Sequence, residues 1–199
     1  MNKITTIDLL RHGEVEGGAC YRGSQDDALT KKGWQQMQQA TENKCWDIIL
    51  SSPLKRCSNF AKHLSKDAAE CLILDNLREI DFGDWEGKTA DELFQQQTEH
   101  FNRFLRNPDS NPPPNGEALR EFHQRIAQQW HDIILQYQMK HILIISHGGT
   151  MRSIISQVLK IPNSHFMRLE VPHASITRIK VYHYGNESFP TLVSHGQTP

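Results

Sequence analysis

No stretch of this sequence approaches the roughly 20 consecutive apolar residues of a membrane-spanning helix. The amino-terminus also lacks the basic segment followed by an apolar one that marks a secretory signal. Strand-type residues begin almost at once, so a cytoplasmic location is expected. Charge of one sign is not in excess: 22 Lys and Arg stand against 23 Asp and Glu, a net charge of −1. No field therefore draws the chain to nucleic acid or to an anionic membrane. Cysteine is scarce, and Cys20, Cys45, Cys57 and Cys71 form no C-x-x-C pair. Without a secretion signal they should stay reduced, and neither a redox nor a zinc pair is expected. Histidine is not scarce, at eleven residues, but H-E-x-x-H and the Cys/His spacings of zinc sites are missing. Most, such as His63, His100, His123 and His131, lie in polar helical stretches and are expected at the surface. No metal and no cofactor is called for. Internal repeats and dividing linkers are also lacking.

What is present is an ordinary globular chain of 199 residues, 37% hydrophobic and 23% charged. Its mean hydropathy of −0.60 is lowered partly by glutamine-rich helices. That length fits a single domain over residues 1–199 with a sizeable core. Ile4 to Leu10 reads as a strand, and a polar, glycine-rich loop runs on to Leu29. Thr30 is placed to cap a helix reaching about Asn43. A strand over Trp46 to Leu50, a helix entered at Pro53 and reaching about Lys66, and a short strand over Cys71 to Leu74 follow. This βαβαβ alternation predicts an α/β fold with a mostly parallel sheet. Helices are expected over Thr89 to Arg106, Glu117 to Tyr137 and Thr150 to Leu159, with four prolines keeping 107–116 a surface loop. The continuous apolar run Ile142 to Ile145 marks a central strand. Residues 166–193 alternate in places and should add edge strands before a loose tail. The lid loop and helices of about 76–138 are read as a cap over the strand ends.

Two of these strands share an unusual ending. Leu9-Leu10-Arg11-His12-Gly13-Glu14 and Ile144-Ile145-Ser146-His147-Gly148-Gly149 each run from a buried strand into a His-Gly turn. In open α/β sheets ligands bind at the carboxyl ends of the strands, so both imidazoles can reach one pocket. Arg11 beside the first His and Arg56 in a third strand-loop-helix unit make that pocket an anion site. Histidine is a competent nucleophile when neutral, and like-charged arginines favour the neutral ring. The same arginines can hold a phosphoryl group, whose transfer needs mainly positioning and charge stabilisation. Two arginines, a second histidine and the backbone N–H groups of the His147-Gly148 turn provide both without a metal. A leaving alkoxide needs a proton, and Glu79, Asp81, Asp84 and Glu86 in the loop 77–87 are equally good donors from chemistry alone.

Leu-Arg-His-Gly-Glu at 10–14, Tyr-Arg-Gly-Ser-Gln-Asp-Asp-Ala-Leu-Thr-Lys-Lys-Gly at 21–33, Ser-Ser-Pro-Leu-Lys-Arg at 51–56, the loop 77–87 and Ser-His-Gly-Gly at 146–149 occur together in this order. The set resembles the histidine phosphatase, or phosphoglycerate mutase-like, superfamily over about residues 4–160. The resemblance implies a three-layer α/β/α sandwich and a phosphohistidine intermediate, with no metal or cofactor. It implies His12 as nucleophile, with Arg11, Arg56 and His147, and Gly148 at the turn, around the phosphate. It singles out Glu79 as proton donor and places Gly23 and Ser24 on the loop passing the substrate. Val15 departs from the Ser or Thr usual there, which removes a hydroxyl contact. The short lid, followed by Pro-Asn-Gly-Glu-Ala, is most similar to the alpha-ribazole phosphatase branch, whose substrate is a small phosphomonoester. Tyr21 or Trp85 would then stack on the base. A mutase, a broad-specificity sugar or metabolite phosphatase, a phosphoprotein phosphatase and a non-catalytic phospho-ligand scaffold are the competing expectations.

Overall fold

The computed structural model describes residues 3–67 and 70–199. Its elements run β1 (Lys3–Arg11), α1 (Lys31–Thr41), β2 (Ile48–Ser51), α2 (Lys55–Leu64), β3 (Glu70–Ile73), α3 (Ala90–Gln96), α4 (Thr98–Arg106), α5 (Leu119–Gln136), β4 (His141–Ser146), α6 (Gly148–Leu159), β5 (Ile176–Tyr184) and β6 (Glu187–Gln197). The sheet order is β3-β2-β4-β1-β5-β6. The first four strands in that order are parallel, and β5 and β6 close the edge as an antiparallel hairpin.

Strand periodicity divides the core into two layers. Ile7, Leu9, Ile142 and Ile144 face α5 and α6 with Phe122, Ile126, Ile154 and Ile155. Leu10, Leu143, Ile145 and Ile49 face α1 and α2 with Met37, Phe60 and Ala61. Both faces of β4 are covered, which is why Ile142 to Ile145 are all 0% exposed. The expected three-layer sandwich is present. A separate aromatic cluster of Trp85, Phe101 and Phe104 with Leu93 forms the cap. Among the described residues no helix is long and apolar enough to cross a membrane.

Thr30 caps α1 as its sequence requires, its hydroxyl accepting from the Gly33 N–H. The helix expected over 89–106 is two helices. Thr89 opens the first with a capping box to Glu92, but Gln97 leaves helical geometry at φ −139° and ψ 39°. Its side-chain oxygen accepts from the Trp85 indole at 3.0 Å, a tertiary bond no local pattern signals. The tail also differs from expectation. Ser194 to Gln197 belong to β6, and His195 accepts from the Thr177 hydroxyl and donates to the Glu170 carbonyl, both at 2.8 Å. His123 is buried rather than exposed, with its Nδ1 2.7 Å from Ser153 Oγ where α5 crosses α6. Burial pushes its pKa down to about 4.

Candidate active site

Register places the site. Arg11 lies opposite Ser146 in the parallel β1–β4 pair, and the His12 N–H donates to the Ser146 carbonyl at 3.0 Å. His12 and His147 therefore leave the sheet side by side, with ring centroids 5.3 Å apart in an edge-on contact. His12 lines a cavity of about 350 Å³ together with Arg11, Glu79, Gly148, Arg152 and His173 at its polar end.

The two rings are held differently. His12 Nδ1 donates to the Gly13 carbonyl at 2.8 Å. A carbonyl can only accept, so the neutral ring carries its lone pair on Nε2. Among the described residues Nε2 has no hydrogen-bond partner. Burial, then Arg11 and Arg56, hold the His12 pKa well below the ordinary value. The neutral ring expected from flanking arginines is thus produced first by desolvation and second by charge. His147 is 0% exposed and does not line the cavity. Its Nδ1 accepts from Arg56 Nε at 3.1 Å, which leaves Nε2–H to donate to Ser52 Oγ at 2.7 Å. Burial, then Arg56, keeps it neutral as well.

The arginines also divide. Arg56 is fully buried, and two further donors go to the Gln25 and Gly23 carbonyls at 2.6 and 2.8 Å. It thus pins the first loop to His147. Arg11 faces the cavity. One of its terminal nitrogens donates to the Val171 carbonyl at 2.5 Å and the other to His173 Nε2 at 3.0 Å. Its Nε is buried with no partner. An orphaned buried donor is a cost that an anion in the cavity would remove. Burial lowers the Arg11 pKa to about 10, so it remains a cation at neutral pH.

Of the four loop acids, Glu79 alone lines this cavity. Its carboxylate accepts from the N–H groups of Gly149 at 2.7 Å and Thr150 at 3.1 Å, at the start of α6. A Cβ on Gly149 would meet that carboxylate, so any side chain there would displace Glu79 from this place. Glu79 thus takes the two N–H groups that follow the His147-Gly148 turn, whose own donors were expected to hold a phosphoryl group. Glu86 instead accepts the N–H groups of Gly23, Ser24, Gln25 and Phe82 at 2.8–3.0 Å, tying the first loop to the lid. Asp81 caps Gly83, and Asp84 meets Asn115.

Gly23 is wedged where a Cβ would strike the Ile80 carbonyl, so its role here is close packing of loop on lid. Ser24 lines a second, polar cleft of about 370 Å³, of which Glu79 is also a wall. Gly148 sits where a Cβ would lie 3.4 Å from Arg152 and 3.5 Å from Arg11. Trp85, expected as a stacking platform, is 0% exposed and packs among Tyr21, His100, Phe101 and Phe104. Tyr21 does line the cavity, as does Val15, beside Ile80, Phe82, Phe104 and Phe166. Arg152 and His173 were not legible as site residues. The one signal for Arg152 was its place one helical turn beyond Gly148.

The sequence profile of the histidine phosphatase superfamily (branch 1) matches residues 7–189, and the chain belongs to that superfamily. Within it, the adenosylcobalamin/alpha-ribazole phosphatase of Escherichia coli is 26% identical over 190 residues, 92% of each chain. The solved alpha-ribazole phosphatase of Shigella flexneri superposes with a TM-score of 0.82 at 26% identity, covering 96% of both chains. The phosphoserine phosphatase of Entamoeba histolytica, solved with 3-phosphoglyceric acid, gives 0.84 at 29% identity over 98% of both chains.

Proposed function

We propose that this protein is a metal-independent phosphomonoesterase working through a phosphohistidine on His12. The observation that carries this reading is the His12 tautomer. Nδ1–H is committed to Gly13, which leaves the Nε2 lone pair free in a cavity also lined by Arg11, whose buried Nε has no partner. In the first half-reaction Nε2 attacks phosphorus, the P–O bond to the alcohol breaks, and Glu79 gives its proton to the departing oxygen. Arg11 stabilises charge on the phosphoryl oxygens, and the buried guanidinium of Arg56, held by neutral His147, adds positive charge behind it. In the second, Glu79 takes a proton from water as its oxygen attacks phosphorus, the P–N bond breaks, and inorganic phosphate leaves.

Within this activity, alpha-ribazole 5'-phosphate is the preferred substrate. Away from His12 the cavity walls are Val15, Tyr21, Ile80, Phe82, Phe104 and Phe166, a lining suited to a planar heteroaromatic alcohol. A second reading, a carboxylate-bearing substrate such as phosphoserine, is favoured by Arg152. Its guanidinium lines the cavity and pairs with no carboxylate among the described residues. The deciding measurement is phosphate release in EDTA from 4-nitrophenyl phosphate, alpha-ribazole 5'-phosphate, phosphoserine and 3-phosphoglycerate. A kcat/KM for alpha-ribazole phosphate far above the rest supports the first reading. Preference for a carboxylate substrate, lost in Arg152→Ala, supports the second. Absence of turnover on all four rejects the phosphatase reading.

A further inference from the structure

The α5 residue Arg125 lies outside the His12 cavity, yet three of its guanidinium hydrogens go to the segment that carries Glu79 and the other two to Glu117. A guanidinium has five N–H donors in a fixed planar fork. In Arg125, Nη1 donates to the Asn76 and Arg78 carbonyls at 2.8 and 2.9 Å. Nη2 donates to the Glu79 carbonyl at 2.9 Å and to Glu117 Oε2 at 2.8 Å, and Nε donates to Glu117 Oε1 at 2.6 Å. Glu117 holds the other side of the loop. Its N–H donates to the Asp81 carbonyl at 2.9 Å, and its Oε2 accepts from the Asp81 N–H at 3.4 Å. The plane of the fork rests on the Phe122 ring, 4.8 Å from its centroid. The backbone of 76–81 is thus gripped on both sides of Glu79 by one ion pair.

We propose that Arg125, aligned by Glu117, is the positioning residue that aims the Glu79 carboxyl at the leaving oxygen. The inference rests on the reading of Glu79 as proton donor. Arg125 holds the Glu79 main chain and touches neither substrate nor the reacting atoms. Its loss therefore costs only the step that needs the proton. An alkyl alcohol needs that proton, whereas 4-nitrophenolate leaves without it.

The test compares kcat/KM for an alkyl phosphomonoester and for 4-nitrophenyl phosphate, since kcat/KM reports phosphorylation of the enzyme. Misplacing the carboxyl by about an ångström should lower the alkyl value roughly ten-fold to a hundred-fold in Arg125→Ala and change the aryl value by less than about three-fold. Arg125→Lys keeps the charge but loses the fork and should show the same selective loss, which covers the case in which the alanine variant does not fold. In a Glu79→Gln background Arg125→Lys should add no further selective loss, because the proton it would aim is gone. Equal slowing of both substrates, or losses that multiply in the double variant, would show a structural role only and overturn the proposal. Glu79→Gln alone separates the two readings. If it slows both substrates equally, Glu79 is not the donor and both readings fall. If it is selective while the Arg125 variants are not, only the positioning role fails.

Discussion

His12 and His147 share a motif and a place. Each ends a buried parallel strand, each precedes glycine, and the β1–β4 register sets them level. Their surroundings make them different reagents. His12 bonds its own loop through Nδ1 and turns Nε2 to the cavity, whereas His147 is closed between Arg56 and Ser52 with the buried thiol of Cys57 against its ring. One ring keeps a free lone pair. The other has both nitrogens committed, one to Arg56 and one to Ser52. The difference lies in neighbours brought from other elements, so identical short motifs do not carry identical roles.

The comparison breaks most sharply at the rings themselves. His12→Ala should lower turnover by at least about 10⁴-fold, since a nucleophile has no substitute. Its melting temperature should stay within about 3 °C of the parent, because the ring lines a cavity. Substantial residual activity would reject the phosphohistidine route. His147→Ala should cost less activity, about 10²–10³-fold, because it frees Arg56 and displaces the positive charge that the transition state needs. It should cost more stability, since Arg56 Nε is left buried without an acceptor, a defect worth about 1–3 kcal/mol. Calorimetry and steady-state kinetics on both variants should show the two effects in opposite order. A smaller effect is expected for Ser52→Ala, which unties His147 Nε2 and the Leu54 N–H but leaves the Arg56–His147 bond, and should slow turnover by less than about ten-fold.

The histidines are alike in one respect: burial lowers the pKa of both. The kcat/KM profile should therefore show no acid limb at the ordinary histidine pKa of about 6.5. Stability carries the opposite signature. His123 and His173 are each pushed down to about 4, by burial first. The unfolded chain then binds protons that the folded chain does not, so their contribution is complete above about pH 6.5 and is lost as pH falls toward 4. In His123→Gln the fall in melting temperature over that window should be shallower, and an unchanged slope would place the titration elsewhere.

Much of this was written locally. The strand ends, the Thr30 cap and the buried run of β4 follow from short-range pattern and needed no partner to be read. The four loop acids did not, because their chemistry is the same and only packing sorts them. Glu86 takes four backbone N–H groups, while Glu79 lies against the start of α6. Gln97 breaks a helix its own propensity favours because the Trp85 indole holds its side chain. His123 reads as polar surface in sequence and is buried by the crossing of α5 and α6. His173 and Arg125 come from segments more than twenty residues from either His-Gly turn, and no spacing rule joins them to the site, whereas Arg152 follows Gly148 by one turn of α6.

The sealed indole of Trp85 has an optical consequence. Its rings of contact include Tyr21 and Phe104, and both of these also line the cavity beside His12. A molecule bound in the cavity would touch those two side chains, one contact away from a fluorophore that water does not reach. Occupancy of the cavity should therefore register as a change in tryptophan emission in a stopped-flow instrument without a label, and Trp85→Phe should remove it while Trp34, Trp46 and Trp130 remain.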